Sequence, residues 1–318
     1  MNYSGFDIIG DVHGHADKLV QLLRKLGYRE QDSAYTHPDR QAIFVGDFVD
    51  RGPQQGETVR IARNMVLSGS AQAVMGNHEF NAIAWHTPDP ERPGEFLRPR
   101  TGEKGRKNRN QHQQFLKEFE HLPQQHADQI SWFKTLPLWL DLGDIRVVHA
   151  CWHEEHMRTL APGLAEGQRL TDELIVAASR KGSAAYEAVE VLTKGMEIPL
   201  PGGIYFRDKD QHPRKDIRIR WWDNSIKTYR DHAMLEDDIR ATIPDLPLSA
   251  DIAQLELPPC EKPTFFGHYW MAGRPQVLAD TVACVDYSAG KGGPLVAYRW
   301  SGESILNNKN FVLSYDEI

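Results

Sequence analysis

The side chains of this sequence that can do chemistry are aspartates, histidines and an asparagine in short, glycine-flanked motifs. The first three motifs are Gly10-Asp11-Val12-His13-Gly14, Gly46-Asp47-Phe48-Val49-Asp50-Arg51-Gly52 and Gly76-Asn77-His78-Glu79. Two further histidines, His149 and His268, follow apolar segments later in the chain. Carboxylate, amide and imidazole groups together are ligands typical of manganese, iron or zinc. The motifs therefore indicate a metal site built from distant parts of the sequence.

Two adjacent metal ions would supply what the hydrolysis of a phosphate ester needs. They acidify a water between them, which gives a nucleophile at neutral pH, and they stabilise the charge on the phosphoryl oxygens. A bridging carboxylate is required, and Asp47 suits that position. The predicted metal ligands are Asp11, His13, Asp47, Asn77, His149 and His268. The predicted cofactor is a pair of divalent or trivalent ions, with manganese as the first choice and iron or zinc as alternatives.

The same motifs contain candidates for proton transfer and phosphate binding. His78 follows the predicted ligand Asn77, so it is directed into the same site and can protonate the leaving group as a general acid. Asp50 can orient and charge-stabilise His78. Arg51 can bind phosphate oxygens through two hydrogen bonds, although a surface ion pair is the alternative. We predict that His78, Asp50 and Arg51 are the catalytic residues.

The elements that must position these motifs are strands and helices in alternation. Apolar runs at 6–9, 42–45 and 71–75 lead into the three motifs and are typical of buried strands. Helical patterns at 15–27 and 56–68 separate them. This βαβαβ order predicts a parallel sheet covered by helices, and such sheets bind ligands at the carboxyl ends of their strands.

The three motifs resemble G-D-x-H-G, G-D-x-V-D-R-G and G-N-H-E of the calcineurin-like metallophosphoesterases, and specifically of their phosphoprotein-phosphatase branch. The resemblance is close over 6–83 and partial over 136–153 and 262–300. It implies an α/β fold with a central β-sandwich flanked by helices. It also implies that Asp11, His13 and Asp47 hold one ion, while Asp47, Asn77, His149 and His268 hold the other. Gly267-His268-Tyr269-Trp270 lacks the second histidine that nuclease-like relatives use, which favours the phosphatase branch.

A second phosphate-binding arginine is expected between His149 and His268. The available residues are Arg207, Arg214, Arg218 and Arg220. We select Arg220 because Ile217, Ile219 and Trp221 alternate with it, as in a strand with one polar face. An exposed arginine on an edge strand is the alternative explanation of this pattern.

The chain is interpreted as one metallophosphoesterase domain over 1–318, with insertions at about 86–130 and 154–262. Residues 86–112 are rich in proline, glycine and basic side chains, so we expect an exposed loop or cap. Residues 113–135, 171–180 and 183–194 have helical patterns. The segment 154–262 is expected to be a cap-like decoration over the site. His153 and His156 are expected on a loop, and 291–293 is expected to be a hairpin turn between strands at 282–286 and 295–300.

Composition narrows the class of protein. The 318 residues carry a net charge of −7 and 40% are hydrophobic, which indicates a sizeable core and gives no sign of bulk nucleic-acid binding. The sequence has no apolar run of about 18 residues that would span a membrane. Three cysteines fit neither a disulfide framework nor a zinc ribbon, and no leader pattern precedes the first strand. A cytoplasmic location is therefore expected, and the oligomeric state stays open.

The most favoured activity is that of a Ser/Thr-phosphatase-like phosphomonoesterase, in which a metal-bridging hydroxide attacks the phosphate directly. A dinucleoside-polyphosphate hydrolase is the alternative, because such relatives share the scaffold and because Trp221, Trp222 and the basic insertion suit a nucleotide. These relatives more often have Asp where this chain has Glu79, which places them second. A non-catalytic binding module on the same fold is a third hypothesis. The expected partner is thus a phosphorylated substrate, either a phosphoprotein or a nucleotide.

Overall fold

A computed structural model of the chain describes residues 3–207, 213–255, 257–258 and 260–315. The strands in these residues are β1 (Gly5–Ile9), β2 (Arg29–Gln31), β3 (Ala34–Thr36), β4 (Arg40–Phe44), β5 (Ala71–Ala73), β6 (Trp139–Asp141), β7 (Arg146–Val148), β8 (Leu164–Ala165), β9 (Arg169–Leu170), β10 (Glu197–Pro199), β11 (Phe206–Arg207), β12 (Pro213–Arg214), β13 (Asp216–Arg218), β14 (Thr264–Phe266), β15 (Val282–Cys284), β16 (Val296–Trp300) and β17 (Phe311–Leu313). The helices are α1 (Ala16–Lys25), α2 (Gln55–Leu67), α3 (Asn77–His86), α4 (Gly102–Gln111), α5 (Gln113–Phe119), α6 (Pro123–Phe133), α7 (Glu154–Leu160), α8 (Asp172–Ala178), α9 (Ala184–Lys194), α10 (Tyr229–His232), α11 (Asp237–Arg240) and α12 (Ala250–Ala253).

Two larger sheets form the centre of the molecule. The first has the strand order β17-β16-β1-β4-β5, in which β1, β4 and β5 are parallel and β16 and β17 are antiparallel additions. The second has the order β15-β14-β7-β6, with β15, β14 and β7 parallel. The predicted βαβαβ unit is confirmed as β1, α1, β4, α2 and β5, because each helix follows the strand that carries a motif.

The two sheets pack face to face through an apolar layer. Ile8 and Ile43 of the first sheet and Val147 and Phe265 of the second belong to one buried cluster, and all four are fully buried. The neighbouring Ile9 faces the opposite side, where it joins a cluster with the helices. Strands covered on both faces need the near-continuous apolar runs seen in the sequence. The architecture is therefore the predicted α/β β-sandwich flanked by helices.

Helix α1 illustrates how the sequence sets the outer layer. Its buried residues Ala16, Leu19, Leu22 and Leu23 recur at the three- and four-residue spacing of one helical face. The helix ends at Lys25, and Gly27 follows with φ of +92°, a left-handed conformation that glycine adopts without strain. The packing of α1 therefore holds the end of the loop from β1 to α1, which contains Asp11 and His13.

Several expectations for the insertions need correction. Residues 102–111 form helix α4 rather than a loop, because the side-chain amide of Asn108 donates to the carbonyl of Pro99 and holds the start of the helix against the preceding turn. His156 lies on α7, which begins after His153, and not on a loop. Strands β15 and β16 belong to different sheets, so 291–293 is part of a crossover between sheets and not a hairpin turn.

The helical predictions at 171–180 and 183–194 are confirmed as α8 and α9, and the one at 113–135 is divided into α5 and α6 by Pro123. Buried side chains of the segment 154–262, among them Leu160, Leu192 and Trp221, belong to the same apolar cluster as α1 and α2. The indole N–H of Trp221 also donates to the carbonyl of Ala150 at 3.1 Å. Within the described part of the chain, no helix combines the length and apolar character needed to cross a membrane.

Candidate active site

Both sheets bring their loops to one edge of the sandwich. Asp11 and Asp47 follow β1 and β4, and Asn77 begins α3 after β5. His149 follows β7, and His268 lies two residues beyond β14. The structure thus brings all six predicted metal ligands together, and each is at most 8% exposed. Their convergence follows from the parallel strands, whose carboxyl ends meet at the same edge.

Asp47 lies in the middle of this group. Its Oδ2 atom is 3.7 Å from Nε2 of His13 and 3.4 Å from Nε2 of His149. Nε2 of His78 lies 3.9 Å from the same oxygen. Two triplets of ligand atoms, each within 4.8 Å of one another, contain His13, Asp47 and His78, and Asp47, His149 and His268. Membership in both triplets is the position expected of a bridging carboxylate.

The first triplet contains His78, whereas the sequence predicted Asp11 together with His13 and Asp47. Asp11 lies beside this triplet. Its Oδ2 accepts the backbone N–H of His268 at 3.0 Å, whereas its buried Oδ1 has no hydrogen-bond partner among the described residues. Burial, followed by the charges of Asp286 and Asp47, raises the pKa of Asp11 well above its usual value. A cation here would satisfy the free oxygen and relieve the repulsion between carboxylates. The amide oxygen of Asn77 lies 2.8 Å from Nδ1 of His268, so it faces the second triplet.

The backbone determines which nitrogen two of the histidines present. Nδ1 of His13 lies 3.0 Å from the carbonyl of Val49, and Nδ1 of His149 lies 2.7 Å from the carbonyl of Val45. A carbonyl only accepts, so each Nδ1 carries the proton and each Nε2 directs a lone pair into the site. Nε2 of His13 and Nε2 of His268 are buried and have no partner within the described residues. This donor set fits metal ions.

The electrostatics of the group favour the same chemistry. Burial acts to raise the pKa of Asp47, but His149 and His78 lower it by more, so this pKa lies well below its usual value. Burial, with the charge of His78 acting in the same direction, lowers the pKa of His13 to about 3. Burial also lowers the pKa of His268 well below its usual value. Burial opposes the charged form of His149, but Asp47 raises its pKa. An ionised Asp47 beside neutral His13 and His268 fits metal ligation, which requires deprotonated ligands.

The loops at this edge have a strained backbone. Ten described residues other than glycine have positive φ, and six of them are His13 (47°), Asp47 (52°), Asp50 (69°), Arg51 (72°), His268 (70°) and Trp270 (52°). Strain of this kind concentrates at functional sites, where the surrounding structure holds it. Close approach also requires glycine: a Cβ on Gly76 would overlap Oδ1 of Asp47, and one on Gly267 would overlap Oδ1 of Asp11.

His78 and Asp50 form the predicted pair. Nδ1 of His78 lies 2.6 Å from Oδ2 of Asp50, and the other carboxylate oxygen, Oδ1, lies 2.8 Å from Nδ1 of His112. Burial acts to raise the pKa of Asp50, but His112 and His78 lower it well below its usual value. Burial likewise opposes the charged form of His78, yet Asp47 and Asp50 raise its pKa. Asp50 is therefore an anion held between two imidazoles.

Arg51 lies at the exposed rim of the site. Its guanidinium carbon is 4.8 Å from the ring centroid of Trp270. The Trp270 ring in turn stacks on His13, with ring centroids 5.3 Å apart and an interplanar angle of 25°. The structure thus places Arg51 beside the predicted ligands, as the sequence analysis expected.

The side chain of Arg220 makes no hydrogen bond or ion pair with a predicted ligand among the described residues. Strand β13 ends at Arg218, and the charged neighbours of Arg220 are Arg240, Asp223, Asp231 and Asp237, none of which is a predicted ligand. Arg218 and Lys194 are instead the cations that act on His268. Burial lowers the pKa of Arg98 to about 10, opposed by the charges of Asp50 and Glu190, so Arg98 lies within electrostatic reach of Asp50. A phosphate-binding role for Arg220 stays a prediction, and it would concern a more distant phosphate.

A cavity of about 730 Å³ opens next to the predicted ligands. Its aromatic walls are Phe206, Trp222, Tyr269 and Trp270, and Tyr269 and Trp270 directly follow His268. The charged side chains that line it are Arg220, Arg240, Lys291, Asp223, Glu236 and Asp237. Aromatic walls with balanced charge suit a planar group that carries hydrogen-bonding atoms.

Glu79 has no access to a substrate. It is fully buried, and its carboxylate accepts the backbone N–H groups of Asp47 at 2.8 Å, Phe48 at 2.8 Å and Gly76 at 3.0 Å. Burial, followed by the charge of Asp47, raises the pKa of Glu79 to about 7. Glu79 therefore holds two motif loops together.

Sequence reasoning missed three residues at this site. Asp286 lies two residues after β15, and its carboxylate accepts the backbone N–H groups of Trp270 at 2.7 Å and Ser288 at 2.9 Å. Its position beyond a parallel strand was a usable signal. Trp270 directly follows the predicted motif around His268. His112 lies between α4 and α5 in a polar segment that carries no local signal of burial.

Comparisons with known proteins show the family to which the chain belongs. Residues 5–172, more than half of the chain, match the family model of calcineurin-like phosphoesterases. The chain is 51% identical over 74 residues to an asymmetrical bis(5'-nucleosyl)-tetraphosphatase of Halalkalibacterium halodurans, which is 23% of this chain but only 30% of that protein. Among solved structures, it is similar to a cold-active protein-tyrosine phosphatase of a Shewanella species, with a TM-score of 0.49 and 16% identity over 96% of this chain and 81% of the other. The chain is also similar to a protein serine/threonine phosphatase of Saccharomyces cerevisiae, with a TM-score of 0.48 and 16% identity. This match covers 97% of this chain and 78% of the other.

Proposed function

Because this chain belongs to the calcineurin-like phosphoesterase family and is a metal-dependent phosphoric ester hydrolase, we propose that its substrate is a nucleotide with several phosphates, of the dinucleoside-polyphosphate class. The observation that carries this proposal is the aromatic cavity next to the predicted ligands. The named activity of the Halalkalibacterium halodurans relative also supports it, within the 74 residues that the two proteins share. Membership in a hydrolase family argues against the hypothesis of a non-catalytic binding module.

The cavity has the size and lining that a nucleoside needs. Its volume of about 730 Å³ lies within the range of small-molecule pockets. Trp222 is a half-buried aromatic residue of the cavity on which a base could stack, and stacking tolerates any base. Trp270 connects the two regions, because its ring also packs against His13. A substrate whose phosphate lies among the ligands can therefore place its base in the cavity.

The cations around the site fit a substrate with several negative charges. Arg51 is at the rim, Arg98 lies near Asp50, and Arg218 and Lys194 lie near His268. These cations act on three different residues of the site, namely Trp270, Asp50 and His268. A single phosphate monoester offers two charges to one centre, whereas a polyphosphate distributes its charge over the span of these residues.

The chain's own residues can perform hydrolysis once metal is bound. Asp11, His13, Asp47, Asn77, His149 and His268 would hold the ions. The ions supply a nucleophile at neutral pH and offset the charge of the phosphoryl oxygens. Asp50 holds Nδ1 of His78, so the other nitrogen, Nε2, is left to deliver a proton to the departing oxygen. Arg51 binds phosphoryl oxygens and orients the ester.

Phosphoprotein hydrolysis is the second candidate, and it rests on the motifs with Arg51 and Glu79. The contacts of Glu79 weaken that argument. All its hydrogen-bond partners in the described residues are backbone N–H groups of the motif loops, so Glu79 does not touch a leaving group. Its identity therefore does not distinguish an amino-acid leaving group from a nucleotide.

A substrate panel tests the proposal. The purified chain, reconstituted with Mn²⁺, is assayed with diadenosine tetraphosphate, a phosphoserine peptide and p-nitrophenyl phosphate. We expect the highest kcat/KM for the dinucleotide. Because base stacking on an aromatic side chain contributes about 1–3 kcal/mol, Trp222→Ala should raise KM for the dinucleotide roughly 5- to 150-fold.

The same variant carries its own control. Trp222→Ala should leave KM for p-nitrophenyl phosphate close to that of the wild type, because this ester has no base for the cavity. Arg220→Ala should weaken binding of the dinucleotide but not of p-nitrophenyl phosphate, since Arg220 lines the cavity. A phosphopeptide kcat/KM equal to or above that of the dinucleotide would refute the nucleotide proposal and support the phosphoprotein one.

A further inference from the structure

The segment between the third motif and the second sheet contributes a buried histidine to the proton-donating pair. His112 lies between α4 and α5 and is fully buried. Its Nδ1 lies 2.8 Å from Oδ1 of Asp50, while Oδ2 of the same carboxylate lies 2.6 Å from Nδ1 of His78. Each oxygen of Asp50 is thus assigned to one histidine.

We propose that His112 is a positioning residue that sets the orientation of the Asp50 carboxylate and, through it, of His78. The proposal rests on the role of His78 as the proton donor in the proposed function. His112 touches neither a predicted metal ligand nor the substrate position in the contacts of the described residues. It acts only through Asp50, and no motif of the sequence includes it.

The direction of the hydrogen bond follows from the chemistry of its partners. The Asp50 carboxylate is an acceptor, so Nδ1 of His112 must carry the hydrogen and donate it. A carboxylate that accepts at one oxygen only can still rotate about its χ2 torsion, which is broad for aspartate. A second donor on the other oxygen fixes the plane of the carboxylate. The ring of His78 is then held in one orientation, as proton delivery from Nε2 requires.

His112 is itself firmly held. Its ring stacks on Phe115, with centroids 4.9 Å apart at an angle of 22°, and meets Trp85 edge-on at 6.2 Å. Its backbone N–H donates to the carbonyl of Asn108 at 3.1 Å, which secures it to the end of α4. Nε2 is buried without a partner in the described residues, so the donation from Nδ1 to Asp50 is its one polar side-chain contact there.

Helix α5, which directly follows His112, provides a matched control for the His112 variants. The carboxylate of Glu118 accepts the backbone N–H groups of Gln55 and Gly56, each at 2.9 Å, at the start of α2. Glu118 is exposed, and among the described residues its carboxylate has no contact with Asp50 or His78. Glu118→Ala therefore loosens the docking of α5 without removing a donor from the carboxylate.

The test compares His112→Phe, His112→Asn and Glu118→Ala with the wild type on two esters. Phenylalanine keeps the ring and the stack on Phe115 but has no donor. Asparagine places its side-chain N–H where Nδ1 of histidine was. Loss of a supporting hydrogen bond of this kind typically costs about 10–100-fold in activity, so we expect this fall in kcat for His112→Phe with phosphoserine. With p-nitrophenyl phosphate the fall should be small, because that leaving group needs no proton. KM and bound metal, measured by elemental analysis, should stay near those of the wild type.

His112→Asn should recover most of the lost rate, and any loss in Glu118→Ala should be equal for both esters. Equal losses on both esters in His112→Phe, or no recovery in His112→Asn, would overturn the proposal and leave His112 as a residue of the core. His78→Asn, measured alongside, distinguishes failure of the proton-donor role of His78 from failure of the positioning role of His112. If His78→Asn also lacks leaving-group dependence, then the proton-donor role itself is refuted. If only His112→Phe lacks it, then His112 alone is reassigned.

Discussion

The most direct test of the proposed chemistry is His78→Asn. The substitution is selective because the side-chain N–H of asparagine occupies the place of Nδ1, which lies 2.6 Å from Oδ2 of Asp50 in the native pair. The contact with Asp50 is therefore retained, and only the far side of the ring with Nε2 is lost. In the structure this nitrogen points toward the predicted ligands, 3.9 Å from Oδ2 of Asp47.

The expected magnitude depends on the leaving group. A positioned general acid contributes roughly 10²–10⁴-fold to the rate, and tenfold corresponds to about 1.4 kcal/mol of barrier. We expect the full loss with phosphoserine, because an alkoxide is a poor leaving group. With p-nitrophenyl phosphate the loss should be small. A phosphate leaving group, as in diadenosine tetraphosphate, has a pKa of about 6 and departs as an anion without a proton, so the loss there should also be small.

The assay measures kcat and KM for these three substrates together with metal content. Asp50→Asn should give the same ordering in weaker form, because Asp50 acts only through His78. Metal content should be unchanged in both variants under the proposed assignment. His78 nevertheless belongs to one of the two ligand triplets, so loss of an ion in His78→Asn would make it a ligand. Equal losses for all three substrates would likewise refute proton donation.

Three further predictions concern the metal centre. Elemental analysis after Mn²⁺ reconstitution should give about two ions per chain, and a value of clearly one or none would contradict a dinuclear site. Asp47→Asn should be the most damaging single ligand change for both metal content and turnover, because Asp47 belongs to both triplets, and wild-type turnover in this variant would show that the bridge is misassigned. Gly267→Ala should lower metal content while the fold persists, since the added Cβ would overlap Oδ1 of Asp11 and lie 2.7 Å from Cγ2 of Val45; full metal content measured at a normal melting temperature would contradict this reasoning.

The parts of the site that could be predicted are those determined by local sequence. Asp11, Asp47 and Asn77 each follow an apolar strand pattern, and parallel strands bring such positions to one edge without further information. The late histidines could be placed for the same reason. Asp286 has the same relation to β15, so the rule that found His149 applied equally to it. To place residues at this edge, one needs only to recognise the strands and to know that they are parallel.

The parts that could not be predicted depend on where elements end and on what packs over them. The alternation around Arg220 correctly indicated an extended segment, but β13 ends at Arg218, and the chain then turns toward the cavity. His112 lies in a segment of high polarity, and only its packing with Phe115 and Trp85 buries it. Glycine-rich residues 291–293 satisfied a hairpin pattern, although the flanking strands enter different sheets. Each difference arises from tertiary contacts that a single sequence does not encode locally.

The motif around Asp47 also shows why substrate class is hard to infer from motif residues. Asp47, Asp50 and Arg51 all have positive φ, and strain of this kind costs about 1–3 kcal/mol per residue. The loop is held in this conformation by side-chain acceptors. Glu79 accepts the N–H groups of Asp47 and Phe48, and Gln55 accepts that of Asp50 at 2.6 Å.

Residues in and around such a motif therefore have two kinds of role: some hold the backbone, and others are placed for the reaction. Glu79 and Gln55 are required by the loop conformation, whatever ester is cleaved, whereas the cavity formed by Trp222, Tyr269 and Trp270 lies outside the motifs and can contact a leaving group. A change at Glu79 should disturb the loops and affect every substrate alike. A change in the cavity should alter the choice among substrates, and it is there that the discrimination between a phosphoprotein and a nucleotide must be sought.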